Sequence, residues 1–227
     1  MTPTQDQVFA RGEADQWFLR NRPALSVEHA KDDPVLRALS TFGLTPQRVL
    51  EVGAANGWRL AALAERSSGC YVAVEPSAEA IADGEARFPA IEFRRGLLGD
   101  LPLADGETFD LVIASFVLHW VDRRNLLRAA AEIDRATADG GTVAVADFLP
   151  DRPARVPYHH LPEGGMYTFK QDYAALFAAA GTYRIAGRWT FDHATHEFRA
   201  NGLPSDRCAV TLLVKNLTGL YEDRGQP

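Results

Sequence analysis

Two groups of residues in this 227-residue chain have types and spacings suited to chemistry. The first is Glu51-Val52-Gly53-Ala54-Ala55-Asn56-Gly57, where an apolar run opens into a loop bounded by glycines. Gly53 and Gly57 permit a turn that a Cβ would crowd, so a ligand can approach the backbone closely. A second apolar run, Tyr71-Val72-Ala73-Val74, ends in Glu75, about twenty residues beyond Gly53. A carboxylate there accepts hydrogen bonds from both hydroxyls of a ribose. Loop, spacing and acid together predict an adenosine-containing cofactor. The pattern Glu51-x-Gly53-x-x-x-Gly57 lacks the middle glycine of G-x-G-x-x-G, which disfavours a dinucleotide. No Lys-Ser or Lys-Thr follows, so it is no P-loop. An acid entering the loop suits a cationic ligand better than a phosphate.

The second group can move protons. Tyr158-His159-His160 and the run Met166 to Tyr173 are dense in donors and acceptors, and His119-Trp120 follows the apolar run that ends at Ser115-Phe116. An imidazole titrating near neutrality suits removal of a proton from an acceptor hydroxyl. The candidates for that base, in order, are His160, His159 and His119; Tyr158, Tyr167, Lys170 and Tyr173 are the candidates that orient an acceptor. Two alternatives stand beside this: His119 and Trp120 as packing at the start of a helix, and 158–173 as a loop bonded to itself for rigidity. No metal is expected, because neither His159-His160 nor His193-Ala194-Thr195-His196 is accompanied by a cysteine or a carboxylate trio. No G-x-S-x-G occurs, which argues against a serine nucleophile.

Alternating strands and helices must hold these residues. Strands are predicted at 48–52, 70–75, 91–95, 109–115 and 141–148, with parallel pairing through right-handed crossovers. Between them come helices from Trp58 to Glu65, from Ala78 behind a Ser77 cap, and from Arg123 to Ala136 behind an Asp122 cap, the last stopped by Asp139-Gly140-Gly141. A long loop is predicted from Leu149 to Gly165, then a helix near Gln171–Ala180. Strands at Tyr183–Phe191 and Arg207–Lys215 close the chain as an antiparallel pair. Residues 1–47 read as a helical lid, and 48–227 as one cofactor-binding domain with a substrate loop at about 149–173. In the lid, Trp17 either packs on the sheet with arginines in water, or Arg20 and Asn21 grip a cofactor carboxylate. The tail beyond Tyr221 is expected to fray.

The net charge of −6 disfavours a nucleic-acid partner, whose phosphates call for a basic face. No apolar run approaches the length of a membrane span and the N-terminus lacks the apolar core of a signal peptide, so no membrane partner is expected and cytoplasm is the expected location. A small molecule is the expected acceptor, and oligomeric state is not legible. Cys70 and Cys208, in or beside predicted strands, read as small apolar residues.

Glu51 to Gly57, Val72 to Pro76, Phe109 to Phe116 and Gly140 to Val145 resemble, in order and spacing, the first, second and fourth motifs and the following strand of the class I S-adenosylmethionine-dependent methyltransferases. The resemblance covers roughly Arg48 to Phe148. It implies an α/β Rossmann-like sheet of seven strands, mostly parallel with an antiparallel last strand and helices on both faces. It implies S-adenosylmethionine as cofactor, held by Glu51, Gly53, Ala54, Asn56, Gly57, Glu75, Pro76, Leu97, Leu98, Ser115 and Phe116, with Trp17, Arg20 and Asn21 from the lid. Leu97 and Leu98 stand where many relatives carry an acid facing the adenine amino group; Asp100 is a weaker substitute. The His-His and Tyr-Thr-Phe-Lys runs are loosely similar to methyltransferases of bacterial surface-glycan or natural-product pathways. Methyl transfer to a hydroxyl of a sugar, nucleoside or other natural-product intermediate is the expected activity. The alternatives are a cofactor-binding cyclase, lyase or isomerase on the same fold, or a non-catalytic cofactor-binding subunit.

Overall fold

Val49, Leu50 and Val52 have no solvent-facing side, which is what a strand at the centre of a two-sided sheet requires. A computed structural model describes residues 4–161, 165–200, 202–222 and 224. Its strands are β1 (Arg48–Val52), β2 (Cys70–Glu75), β3 (Glu92–Arg95), β4 (Phe109–Ser115) and β5 (Thr137–Phe148). Then follow β6 (Ala154–Pro157), β7 (Tyr167–Lys170), β8 (Tyr183–Asp192) and β9 (Arg207–Lys215). Seven of them form one sheet in the order β3-β2-β1-β4-β5-β9-β8. The first five are parallel; β9 runs antiparallel to both β5 and β8. This is the expected seven-stranded Rossmann-like sheet with its last strand reversed.

The helices are α1 (Gln5–Val8), α2 (Ala14–Asn21), α3 (Pro34–Phe42), α4 (Trp58–Ala64), α5 (Ala78–Arg87), α6 (Leu126–Ala136) and α7 (Ala174–Ala178). Strand side chains alternate between two layers. Val49, Tyr71, Ala73, Leu111 and Ile113 pack with α3 and α4, whereas Leu50, Val52, Val72, Val74 and Val112 pack with α6 and α7. Ser77 caps α5 as expected, accepting the Ala80 amide at 3.0 Å. Among the described residues no helix is long and apolar enough to cross a membrane. Cys208 is buried and Cys70 half-buried.

Three expectations are corrected. Helix α6 begins at Leu126, not Arg123, because Asp122 spends its carboxylate on the amides of Arg124 and Gln5 in a preceding turn. Gly140 and Gly141 do not stop that helix. They lie inside β5, which starts at Thr137, at an irregularity opposite β4, where a Cβ on Gly141 would lie 2.9 Å from the Ala138 carbonyl. The stretch after Leu149 is no plain loop, since β6 and β7 pair as an antiparallel two-stranded sheet from Ala154–Lys170 to Pro157–Tyr167. The expected fraying concerns a tail of which 223 and 225–227 lie outside the described residues.

Candidate active site

The alternation along β1 fixes what Glu51 does. Its carboxylate points into the α3/α4 layer, fully buried, and pairs with Arg59 of α4. Arg59 in turn grips both oxygens of Asp33, at 3.1 and 3.0 Å, and Asp33 caps α3 by accepting the Leu36 amide at 2.9 Å. Glu51 Oε2 has no hydrogen-bond partner among the described residues. Burial pushes this carboxyl up to about 7, against the pull of Arg59. Asp33 balances the Arg59 charge, and Glu51 adds negative charge to the trio as it ionises. Asp33 and Arg59 were not anticipated. The Asp-Pro pair that opens α3 and a lone cation in the apolar run Trp58-Arg59-Leu60-Ala61 were the available signals.

The loop itself holds positive φ angles at Gly53 (67°), Ala55 (49°) and Gly57 (72°). Built Cβ atoms would meet Val117 at 2.8 Å from Gly53 and Phe93 at 2.8 Å from Gly57, so both glycines are required by space as well as by φ. Ala55 tolerates the left-handed conformation because its amide is fixed to Glu75 Oε2 at 2.8 Å. Glu75 Oε1 accepts the Ser77 amide at 2.9 Å. Each oxygen therefore keeps lone-pair capacity for a further donor. Burial raises the Glu75 carboxyl to about 7, with the two amides opposing. Asn56 turns away: its amide donates to Asp83 at 2.8 Å and to the Leu25 carbonyl at 3.2 Å, pinning the loop to α5 and the N-terminal segment.

Two adjoining cavities open at the carboxyl ends of β1, β2 and β4, sharing Trp17, Gly53, Ser115, Phe116 and Trp120 as a common wall. The first also holds Glu75, Pro76, Leu97 and Leu98; the second also holds Ala54, Asn21, Asp33 and Arg59. Asn56, Gly57, Glu51 and Arg20 line neither. Asn21 turns its amide back to the Trp17 carbonyl at 2.8 Å. Arg20 pairs with buried Glu13 at 2.5 Å and donates to the Tyr158 hydroxyl at 2.7 Å, while Tyr158 donates to Glu13 at 2.7 Å. Asp100, 89% exposed, also lies outside both cavities.

All six histidines of the chain line the second cavity. Among the described residues no three His, Cys, Asp or Glu side chains form a metal cluster. His159 and His160 sit exposed at the rim, ring centroids 3.9 Å apart, with no hydrogen-bond partner among the described residues. Burial, with Arg20 and His159 nearby, lowers the His160 pKa. His119 differs. It is 4% exposed, and Nδ1 bonds Asp147 Oδ1 at 3.0 Å while its amide donates to Oδ2 at 3.3 Å. Nε2 has no partner among the described residues. Its ring is boxed by Trp120 and Phe148 at 4.7 and 5.2 Å, and Phe116 is held at φ 52° beside them. Asp147 went unnoticed in the sequence, although an acid interrupting the apolar run Val143 to Phe148 was a signal.

Of the residues expected to orient an acceptor, only Tyr158 reaches the cavity, by its ring, since its hydroxyl is taken. Tyr167 bonds Gln5 through its backbone, Lys170 sits over the Phe148 ring, and Tyr173 is buried with its hydroxyl on the Phe169 carbonyl at 2.5 Å.

Residues 50–145 match the family model described as a methyltransferase domain. Over that stretch the chain resembles the class I S-adenosylmethionine-dependent methyltransferases. This methyltransferase-fold chain is 32% identical over 172 residues to a malonyl-(acyl-carrier protein) O-methyltransferase of Geobacter sulfurreducens, covering 70% of the chain and 60% of the relative. It is 35% identical over 135 residues to a demethylmenaquinone methyltransferase of Beutenbergia cavernae, covering 58% and 52%. The chain thus spans little more than half the length of these curated relatives. The fold is shared with the N-methyltransferase NodS of Bradyrhizobium japonicum WM9, solved with S-adenosyl-L-homocysteine, at a TM-score of 0.60 and 16% identity over 83% of this chain and 87% of that one. S-Adenosylmethionine fits what is present here: Glu75 faces the apolar first cavity with spare acceptor capacity, and the loop at Gly53 leaves no room for a side chain.

Proposed function

We propose that the chain transfers the methyl group of S-adenosylmethionine to a hydroxyl of a small acceptor, a sugar, nucleoside or other natural-product intermediate, with His119 as general base. The observation that carries this reading is the buried His119–Asp147 pair on the wall of the second cavity. When bound, S-adenosylmethionine supplies a methyl already activated by its sulfonium. The chain's part is to align the acceptor, exclude water and take one proton. Asp147 accepts from Nδ1–H and so fixes the tautomer in which Nε2 is the unprotonated nitrogen. Phe116, Trp120 and Phe148 hold the ring and keep water from it.

His159 and His160 are weaker candidates for the base, being exposed and without a carboxylate to orient them. They and the Tyr158 ring form the rim by which the 149–173 segment meets the acceptor. The helical N-terminal segment acts as the lid, tied to that rim through Glu13, Arg20 and Tyr158. Among the described residues Arg59 is the only lysine or arginine lining the second cavity, and Asp33 and Glu51 already neutralise it, which favours an uncharged acceptor.

The test is S-adenosylhomocysteine formation, measured by mass spectrometry, with a panel of neutral hydroxylated acceptors. Malonyl-loaded acyl-carrier protein and demethylmenaquinone, for which the relatives are named, are included. Turnover should favour a neutral hydroxyl and fall at least a hundredfold in His119→Ala. Turnover that survives that change refutes the base; absence of calorimetric heat with both forms of the cofactor refutes the whole reading.

A further inference from the structure

The first cavity is mainly apolar, with Ser115 and two acids as its polar side chains among the described residues. Val52, Val74, Pro76, Leu97, Leu98 and Val117 give it hydrocarbon walls, and among the described residues its only charged lining residues are Glu75 and Asp6. The two residues are tied to different ends of the short segment 96–99. At one end the Gly96 amide bonds the Glu75 carbonyl at 3.2 Å. At the other, a Cβ on Gly99 would lie 4.0 Å from the Asn125 Cβ, and the Asn125 amide donates to Asp6 Oδ2 at 2.5 Å. Asp6 Oδ1 accepts the Asp122 amide at 2.9 Å. One donor on each oxygen fixes the carboxylate and leaves each oxygen room for another.

An adenosine has its hydrogen-bond donors at its two ends, the ribose diol and the exocyclic amine, with a flat ring between. From this match we infer that Asp6 reads the adenine 6-amino group, doing from the N-terminal helix α1 what the apolar Leu97 and Leu98 cannot do from the sheet edge. The inference rests on the cofactor proposed above. Asp6 lines the first cavity and not the second, where His119 lies, so it selects the nucleoside and takes no part in methyl transfer. It also gives the short α1 a reason to dock on 120–125: Gln5 donates to the Trp120 carbonyl at 2.9 Å, which holds the neighbouring Asp6 at the cavity wall.

The experiment is calorimetry of the whole chain with three ligands: S-adenosylhomocysteine, its 6-oxo (inosyl) analogue and its 6-hydrogen analogue. A hydrogen bond to a charged acceptor predicts roughly 10–100-fold weaker binding of both analogues to the wild type. In Asp6→Asn, whose Oδ1 still accepts the Asp122 amide and whose amide can face a flipped Asn125, the preference should collapse to within about threefold. Equal wild-type affinity for all three ligands overturns the inference while leaving the cofactor reading intact, as does an unchanged preference in Asp6→Asn. Failure of the wild type to bind S-adenosylhomocysteine at all overturns the cofactor reading itself. The two wild-type analogue arms need no variant, so a misfolded Asp6→Asn protein leaves the inference still exposed to refutation.

Discussion

Asp147→Asn separates a positioned base from a packed histidine. In the native site one carboxylate oxygen accepts both His119 Nδ1–H at 3.0 Å and the Phe148 amide at 2.8 Å, and the other accepts the His119 amide at 3.3 Å. Asparagine has a single acceptor oxygen. If that oxygen replaces Oδ1, its NH2 group is driven against the His119 amide. If it replaces Oδ2, the NH2 group faces Nδ1 and forces the tautomer that puts a proton on Nε2, where the base must be bare. One buried backbone donor goes unsatisfied either way, the His119 amide in the first case and the Phe148 amide in the second, which costs about 1–3 kcal/mol, or roughly 2–4 °C of Tm per kcal/mol for a chain of this size. The negative charge behind the imidazole is lost in both. The expected result is a kcat lower by about 10²–10⁴-fold. Affinity for S-adenosylhomocysteine should hold, because Asp147 lines neither cavity. Turnover by single-turnover mass spectrometry, calorimetry and a melting curve on the same preparation check it. A folded variant with kcat within threefold of wild type would sink the dyad and return the search to the rim histidines.

Three further outcomes are expected. Because burial holds Glu75 at about 7 instead of 4.5, the folded chain keeps a proton that the unfolded chain has released. Stability of the cofactor-free protein should therefore fall as pH rises from about 4.5 to about 7 and level off above, with about 3 kcal/mol at stake in this one group. Urea midpoints across that range should flatten in Glu75→Gln, and a variant as steep as wild type would refute it. Arg59→Met leaves Glu51 and Asp33 buried without a countercharge and should destabilise by about 3–5 kcal/mol; a loss under 1 kcal/mol in urea titration would show that the trio is not coupled. Tyr158→Phe removes the hydroxyl that joins Glu13 and Arg20 to the segment following β6. Amide exchange over residues 13–20 should quicken and KM should rise more than kcat falls; unchanged exchange would rule out that link.

The sheet was legible because its strands announce themselves locally. Val49 to Val52, Tyr71 to Glu75 and Phe109 to Ser115 are apolar runs ended by turn residues, and each became a strand with the expected bounds. The failures came where tertiary context overrode a local signal. Asp122 looks like a helix cap, yet residues 5 and 6, more than a hundred positions away, take up the 122–125 turn and push the helix start to Leu126. Gly140-Gly141 looks like a stop, yet the same freedom from a Cβ serves a strand irregularity against the β4 carbonyls. The β6–β7 pair has four residues a side and few apolar positions, so no periodicity marks it.

The site divides along the same line. Residues set by backbone geometry were readable: Gly53 and Glu75 follow from where strands end, and both line the first cavity. Side-chain roles that depend on which face of a strand a residue occupies were not. Glu51 stands between Leu50 and Val52, which face α6 and α7, so it must face α3 and α4, where it meets Arg59 instead of a ligand. The same alternation along β5 brings Asp147 under His119 while Ala146 and Phe148 turn to the opposite layer. Chemistry-bearing residues therefore look alike in one dimension, and only the pairing of strand face with helix decides between His119, backed by a buried acid, and His160, backed by none. That is why the proposed base is His119 and not either rim histidine.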